Sequence, residues 1–312
     1  MIVGLAGGVG GAKLAQGLAL ATPASELTVV VNTADDFDLY GLRICPDLDT
    51  VLYTLAGLAN PATGWGIAGD TFITLGAIAR LGRDPWFRIG DQDLATHILR
   101  TERLRAGAKL TETIAELAVA FGVASKVLPM CDLAVATMVD TPAGQLTFQD
   151  YFVARRQRDE VLGVSFTGID DAVMTREVAD ALDAAGLVIF CPSNPIVSIG
   201  PILAVPGMRD ALRRTTVPVV AVSPIVQGKA LKGPADKMLA SLGHDVSAYG
   251  VARLYEGVVD AMVVDQRDAD LVSSIEALGM RVMCTDTIMG DATDRARLAA
   301  EVVDFGLAVK RA

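Results

Sequence analysis

The chain has 312 residues, 52% of them hydrophobic and 21% charged, with a formal net charge of −10 from 27 basic and 37 acidic residues. Such a composition buries a substantial core and excludes a disordered chain. The acidic balance excludes broad nucleic-acid or anionic-membrane binding, which needs a basic face; a small anion held by local amides and a few cations stays open.

In chain order, "IVGLA" (2–6) reads as a buried strand, "AKLAQGLALA" (12–21) as a helix and "LTVVVNT" (27–33) as a second strand. The first twenty residues lack a basic leader and are broken by glycines and Lys13, so they read as strand, turn and helix and not as a signal peptide. No apolar run reaches the ~18 residues of a membrane span, and a cytoplasmic protein is expected. Helical periodicity follows over 49–58, 71–82, 91–106 and 111–121. "LAVATMVD" (133–140), a "TPAG" turn and "QLTFQDYFV" (145–153) predict an antiparallel hairpin. β-branched runs return at 187–195, 217–224, 261–265 and 280–286, with helical patterns at 234–242, 268–278 and 293–305. Strand–helix alternation at both ends predicts one α/β domain, a Rossmann-like, doubly wound, mostly parallel sheet. Its core comes from 1–46 and 166–312, and a helical and β-hairpin insertion occupies about 47–165. The apolar insertion helices are a candidate homodimer face.

Cys45, Cys131, Cys191 and Cys284 form no CxxC pair, so reduced thiols are expected. His97 and His244 are the sole histidines, which argues against a histidine-rich metal cage. His97 stands one helical turn from Asp93 and reads as structural.

The stretch "GLAGGVGGAK" carries the strand into the helix. Glycines permit close backbone approach, and the free amides and dipole of a helix N-terminus favour an anion. Neither the P-loop spacing nor GxGxxG fits, because Gly8 and Gly10 are followed by Lys13 where a third glycine belongs. A phosphate cradle of its own type, with Gly7, Gly8, Gly10 and Gly11 and Lys13 as a point charge, is expected; a ligand-free β–α turn is the alternative.

Strand two runs into "NTADDFD", and "CPDLDT" follows. Acids at carboxyl ends of strands lie where doubly wound folds bind ligands. Asp47 or Asp49 could cap the next helix. Capping needs one carboxylate, yet five (Asp35, Asp36, Asp38, Asp47, Asp49) fall within fifteen residues. Mg²⁺ held by some of Asp35, Asp36 and Asp49 would compensate that density; solvated loop acids are the alternative. "CPSNPIVSIGPIL" offers Ser193, Asn194 and Ser198 between prolines, and "VSPIVQGKALKGPADKM" offers Ser223 with Lys229 and Lys232, the two lysines as phosphate contacts; ordinary α/β loops are the alternative. Trp65, Trp86 and Phe87 either fill the insertion core or wall a planar ring, with Arg88 beside it. A dehydrogenase would want an acid where Asn32 stands.

In combination, "GGVGGAK", "VVVNTADD", "ICPDLDTVLYTLAG", "GWG", "IGDQDLATH", "LPM", "FQDYFV", "PSNPIVSIGPIL" and "VSPIVQGKALKGPA" resemble the 2-phospho-L-lactate transferases of coenzyme F-420 biosynthesis, over nearly the whole chain. The resemblance implies an Mg²⁺-dependent transfer of a phospho-three-carbon acid, 2-phospho-L-lactate or phosphoenolpyruvate, from a GMP-activated diphospho donor. The acceptor is the terminal hydroxyl of the deazaflavin Fo (7,8-didemethyl-8-hydroxy-5-deazariboflavin), and GMP leaves. By matching position, Asp49 and Arg88 fall where that family contacts Fo, with Trp86 in the adjoining wall. Asp35 falls near its metal, and the opening loop and "PSNP" where it holds the guanosine diphosphate moiety. Asp35 and Asp49 are thereby the expected catalytic carboxylates, Asp49 either holding metal or orienting the Fo hydroxyl. A related family with a similar glycine loop binds UDP-sugars without this chemistry; "CPDLDT" and "GWG" favour the transferase.

Overall fold

Runs such as "LTVVV" and "AMVVD" alternate no polar residue, so they are satisfied only when both faces are covered. The structure, a computed structural model, describes residues 1–311 and does cover them. Seven strands form the main sheet: β1 (Ile2–Ala6), β2 (Leu27–Val31), β3 (Lys126–Pro129), β4 (Leu187–Phe190), β5 (Val219–Val222), β6 (Ala261–Asp265) and β7 (Arg281–Thr285). All neighbours pair in parallel, in the order β7-β6-β5-β4-β1-β2-β3. That is the doubly wound order of a Rossmann-like fold with an added edge strand. Along β1 the period of two splits the core: Val3 and Leu5 join one buried layer, Ile2 and Ala6 the other. Among the described residues no helix is long and apolar enough to cross a membrane.

The first helix, α1 (Gly8–Ala21), starts four residues before the predicted 12–21. Glycines carry a poor helix propensity, and here tertiary packing overrides it. Gly8 takes φ +61, a left-handed conformation open to glycine at little cost. A Cβ on Gly10 would sit 2.3 Å from the Pro192 carbonyl oxygen in the turn after β4. Gly10 therefore lets α1 rest directly on that turn. Gly10→Ala is expected to lower stability by about 1–3 kcal/mol through overpacking against rigid backbone. An unchanged melting temperature would refute that wedge.

The insertion is not continuous. Its helices are α2 (Pro46–Leu55), α3 (Ile73–Arg80), α4 (Asp91–Arg105) and α5 (Leu110–Ala120). The chain then returns to the main sheet as β3, paired with β2, before leaving again. The expected single block over 47–165 is thus corrected: "KVLP" is too short to show a periodicity, and its pairing to β2 is what makes it a strand. The hairpin is present as Ala136–Thr141 with Gly144–Thr147, but residues 148–153 leave the strand and wind as a helical turn over Asp150–Ala154. Gly163–Thr167, not foreseen, pairs with the other edge of Ala136–Thr141. The predicted helix over 268–278 is a 3-10 turn at Gln266–Leu271 followed by one short α-helical segment at Val272–Glu276.

Candidate active site

Strands β1 and β4 are neighbours whose connections run off in opposite directions, and ligands bind at such a switch point outside the carboxyl ends. A cleft of about 650 Å³ opens there. Gly7, Gly8, Gly10 and Lys13 line one wall. The Gly7 amide donates to Ser193 Oγ at 3.0 Å, which leaves the hydroxyl proton of Ser193 available to a ligand. Gly11 does not line the cleft; it lies behind, where a Cβ would meet Ser193 Oγ at 2.4 Å. Asn194 lines the cleft and shapes its own turn, with Oδ1 accepting from the Ile196 amide at 2.9 Å. Ser198 also lines it, buried against Gly7. Ser223 braces its loop, donating to the Ile225 carbonyl at 2.9 Å and accepting from the Ile225 amide at 3.1 Å.

Two cations face this cradle. Lys13 Nζ donates to the Met289 carbonyl at 2.7 Å, and Lys232 Nζ to the Thr63 carbonyl at 2.9 Å. Burial, with Arg295 and Lys232 nearby, lowers the Lys13 pKa. Neither lysine has an acidic partner among the described residues. A bound anion would relieve that crowding of positive charge. Lys229, on the short ribbon with Ile225–Val226, does not line the cleft.

The five acids separate into groups that the sequence did not distinguish. Asn32 ends β2 as a buried hub, its Nδ2 lying 3.0 Å from Asp47 Oδ2, 3.1 Å from Asp35 Oδ2 and 3.2 Å from the Val197 carbonyl. Asp35 and Asp47 line the cleft, and Asp35 Oδ1 has no hydrogen-bond partner. Burial, then the neighbouring Asp47, raises the Asp35 pKa well above the carboxylate range. Burial pushes Asp47 up to about 6, against the opposing effect of the Asn32 amide. Asp36 is pushed up to about 7 by burial, opposed by Arg43 at 3.8 Å. Asp38 is exposed and 3.6 Å from Arg43. Asp49 does not line the cleft. It pairs with the fully buried Arg100, which donates from both terminal nitrogens, Nη1 at 3.1 Å and Nη2.

The sequence offers Asp47 or Asp49 as a helix cap and counts Asp49 among the metal ligands; in the structure it is Asp47, not Asp49, that lines the cleft. Residues two apart on a helix point ~200° from one another, so Asp47 and Asp49 in the first turn of α2 must face opposite ways. Two hard-oxygen carboxylates with raised pKa values, one holding an oxygen without a partner, fit a divalent cation.

A smaller cavity of about 130 Å³ adjoins the cleft, with Asp70, Phe72, Arg88 and Asp93 in its lining. The Arg88 guanidinium sits 4.3 Å over the Phe72 ring. Asp93 Oδ1 accepts from the Tyr53 hydroxyl at 2.8 Å and lies 3.2 Å from His97 Nε2. His97 Nδ1 in turn stands 3.6 Å from Asp49 Oδ2. Asp49 thus lies behind His97 and Asp93 as seen from this cavity, close to them but not hydrogen-bonded through His97, whose Nε2 has no hydrogen-bond partner among the described residues. Trp86 and Phe87 line neither cavity; they pack with Phe37 at centroid distances of 5.7 and 4.9 Å.

Residues 2–303 match the family model described as 2-phospho-L-lactate transferase CofD. The chain belongs to that family. A 2-phospho-L-lactate transferase of Methanosarcina barkeri is 43% identical over 297 residues, 95% of each chain. A phosphoenolpyruvate transferase of Streptomyces griseus is 41% identical over 315 residues, 99% of each. A UPF0052-family crystal structure from Bacillus halodurans superposes with a TM-score of 0.66 at 16% identity, covering 97% of this chain and 98% of that one, and shares the fold. Within the CofD family the buried Asn32 makes sense as the hub of the acid pair. Already committed to Asp35, Asp47 and Val197, it has no place in reading a dinucleotide ribose.

Proposed function

We propose that the chain moves a phospho-three-carbon-acid group from a GMP-activated diphospho donor to the terminal ribityl hydroxyl of Fo. The observation that carries this reading is the cleft itself: a helix N-terminus with two lysines that lack acidic partners faces two buried carboxylates. Relatives at 43% and 41% identity carry transferase names, and these favour it over a UDP-sugar-binding regulator.

In the reaction the hydroxyl oxygen forms a new bond to the phosphorus bearing the three-carbon acid. The bond from that phosphorus to the bridging oxygen breaks, and GMP departs with the electron pair while the hydroxyl proton is lost. Little covalent work falls to the protein, so its part is placement and charge. Amides at the start of α1 and the lysines Lys13 and Lys232 would hold the diphosphate and its leaving oxygen. Asp35 and Asp47 would hold Mg²⁺, which when bound neutralises the diphosphate and polarises it. Arg88, over Phe72 in the smaller cavity, would seat the acceptor ring, and Asp49 would act from behind His97 and Asp93.

The test is incubation with Fo, Mg²⁺ and each synthetic donor, lactyl and enolpyruvyl, since relatives of both names match almost equally. GMP is expected in step with a phosphodiester of the predicted mass. No GMP with either donor, or full turnover in chelator, would defeat the reading or its metal.

A further inference from the structure

Among the described residues only Thr63 and Trp65 line both the large cleft and the smaller cavity. They belong to a loop closed on itself: Ala59 and Ile67 form an antiparallel bridge, and the Asn60 amide donates to the Gly66 carbonyl at 3.0 Å. The Gly64 amide donates to the Asn60 carbonyl at 2.8 Å, and Thr63 Oγ1 to the Trp65 carbonyl at 2.7 Å. The loop is also pinned to the phosphate side. Lys232 Nζ donates to the Thr63 carbonyl at 2.9 Å, and Gly64 lies so close to α1 that a Cβ would meet Val9 Cγ1 at 2.6 Å.

Trp65 stands between two glycines in left-handed conformations, Gly64 at φ +82 and Gly66 at φ +69. Those paired kinks place the residue where no regular element could. Trp65 is 42% exposed, so it is no part of a packed core. A large apolar surface left open between two cavities is surface for ligands to cover.

We infer that Trp65 is the shared wall at which the two substrates meet, a positioning residue that shuts water out of the point of transfer. This rests on the two-substrate reading above. Reacting atoms must come within ~3–3.5 Å, and a path between the two cavities crosses Thr63 and Trp65. Water is the competing nucleophile there. Its oxygen would bond to the same phosphorus, GMP would leave with the bridging oxygen, and the free phospho-acid would be the by-product.

The experiment compares GMP released with phosphodiester formed in the wild type, Trp65→Ala and Trp65→Phe. The wild type is expected to give one GMP per product. Trp65→Ala should release several-fold more GMP than product, with free phospho-acid making up the difference, and Trp65→Phe should restore most of the coupling. A wild-type ratio in Trp65→Ala overturns the inference while leaving the transferase reading in place. A second arm needs no turnover. In Trp86→Phe, Trp65 is the one remaining tryptophan of the two in the chain. GDP alone should quench its emission saturably; emission indifferent to GDP overturns the placement of the wall, whatever the acceptor proves to be.

Discussion

Asp47→Asn is expected to cut transfer by roughly 10²–10³-fold and yet to raise the melting temperature of the metal-free protein at pH 8. Both follow from one arrangement. Asp47 and Asp35 are buried side by side around Asn32, and burial has raised both pKa values. A carboxyl whose native pKa is about 6, above the ordinary 3.8, holds its proton more tightly folded than unfolded. Its contribution therefore favours the fold fully below about pH 4 and is withdrawn as pH climbs through about 6. By pH 8 that difference disfavours the native state. Asparagine keeps the shape, still accepts from Asn32 and carries no charge to bury. Metal-free wild type should accordingly lose stability from about pH 4 to pH 6 through this group, and the variant should lose less over that range. Mg²⁺ should raise the wild-type melting temperature at pH 8 and leave that of Asp47→Asn nearly unmoved. A variant that melts below wild type at pH 8, or that turns over normally, would remove Asp47 from the metal pair.

The same residue shows where the sequence stops being legible. The parallel sheet was readable because β1, β2, β4, β5 and β6 are apolar runs without alternation, as double burial requires, while the half-exposed edge strand β7 follows them in the strand–helix alternation. β3 was not, because four residues of "KVLP" carry no period and owe their strand to β2. The start of α1 was unreadable by propensity, since its glycines answer to tertiary contacts: Gly10 fits against Pro192, Gly11 against Ser193 and Ala6, and Gly8 takes a left-handed conformation. At the site, the strand-end rule found the cleft and put Gly7, Gly8, Gly10, Lys13, Ser193, Asn194, Ser198 and Asp35 on its walls. It could not sort the carboxylates by partner. Asp36 faces Arg43 across a short hairpin that sequence reading did not foresee, and Asp49 faces Arg100 on a different helix. Helical geometry could have separated Asp47 from Asp49, since one turn of α2 sends them opposite ways. The aromatics divide along similar lines: Trp65 reaches both cavities, whereas Trp86 packs with Phe37 and Phe87.

Arg100→Met is expected to destabilise the protein by about 3–5 kcal/mol, because it strands a buried carboxylate. Arg100 is fully buried, grips Asp49 through both terminal nitrogens and also donates to the Arg43 carbonyl at 3.3 Å. Asp49→Ala would strand the guanidinium in the same way, so lost turnover in that variant would mix a failing fold with failing chemistry. The double variant Asp49→Asn/Arg100→Met separates the two. With both charges gone and similar volumes kept, most of the lost stability should return, as read by denaturant melts. Turnover should not return with it if the proposed role of Asp49 holds, because the smaller cavity would still lack the carboxylate that stands behind His97 and Asp93. A double variant that folds like wild type and stays inactive assigns Asp49 to the reaction. One that folds and again releases GMP in step with product makes the Asp49–Arg100 pair a strut of α2 and α4, and moves the search for the group that orients the hydroxyl to Asp93, which faces the cavity itself.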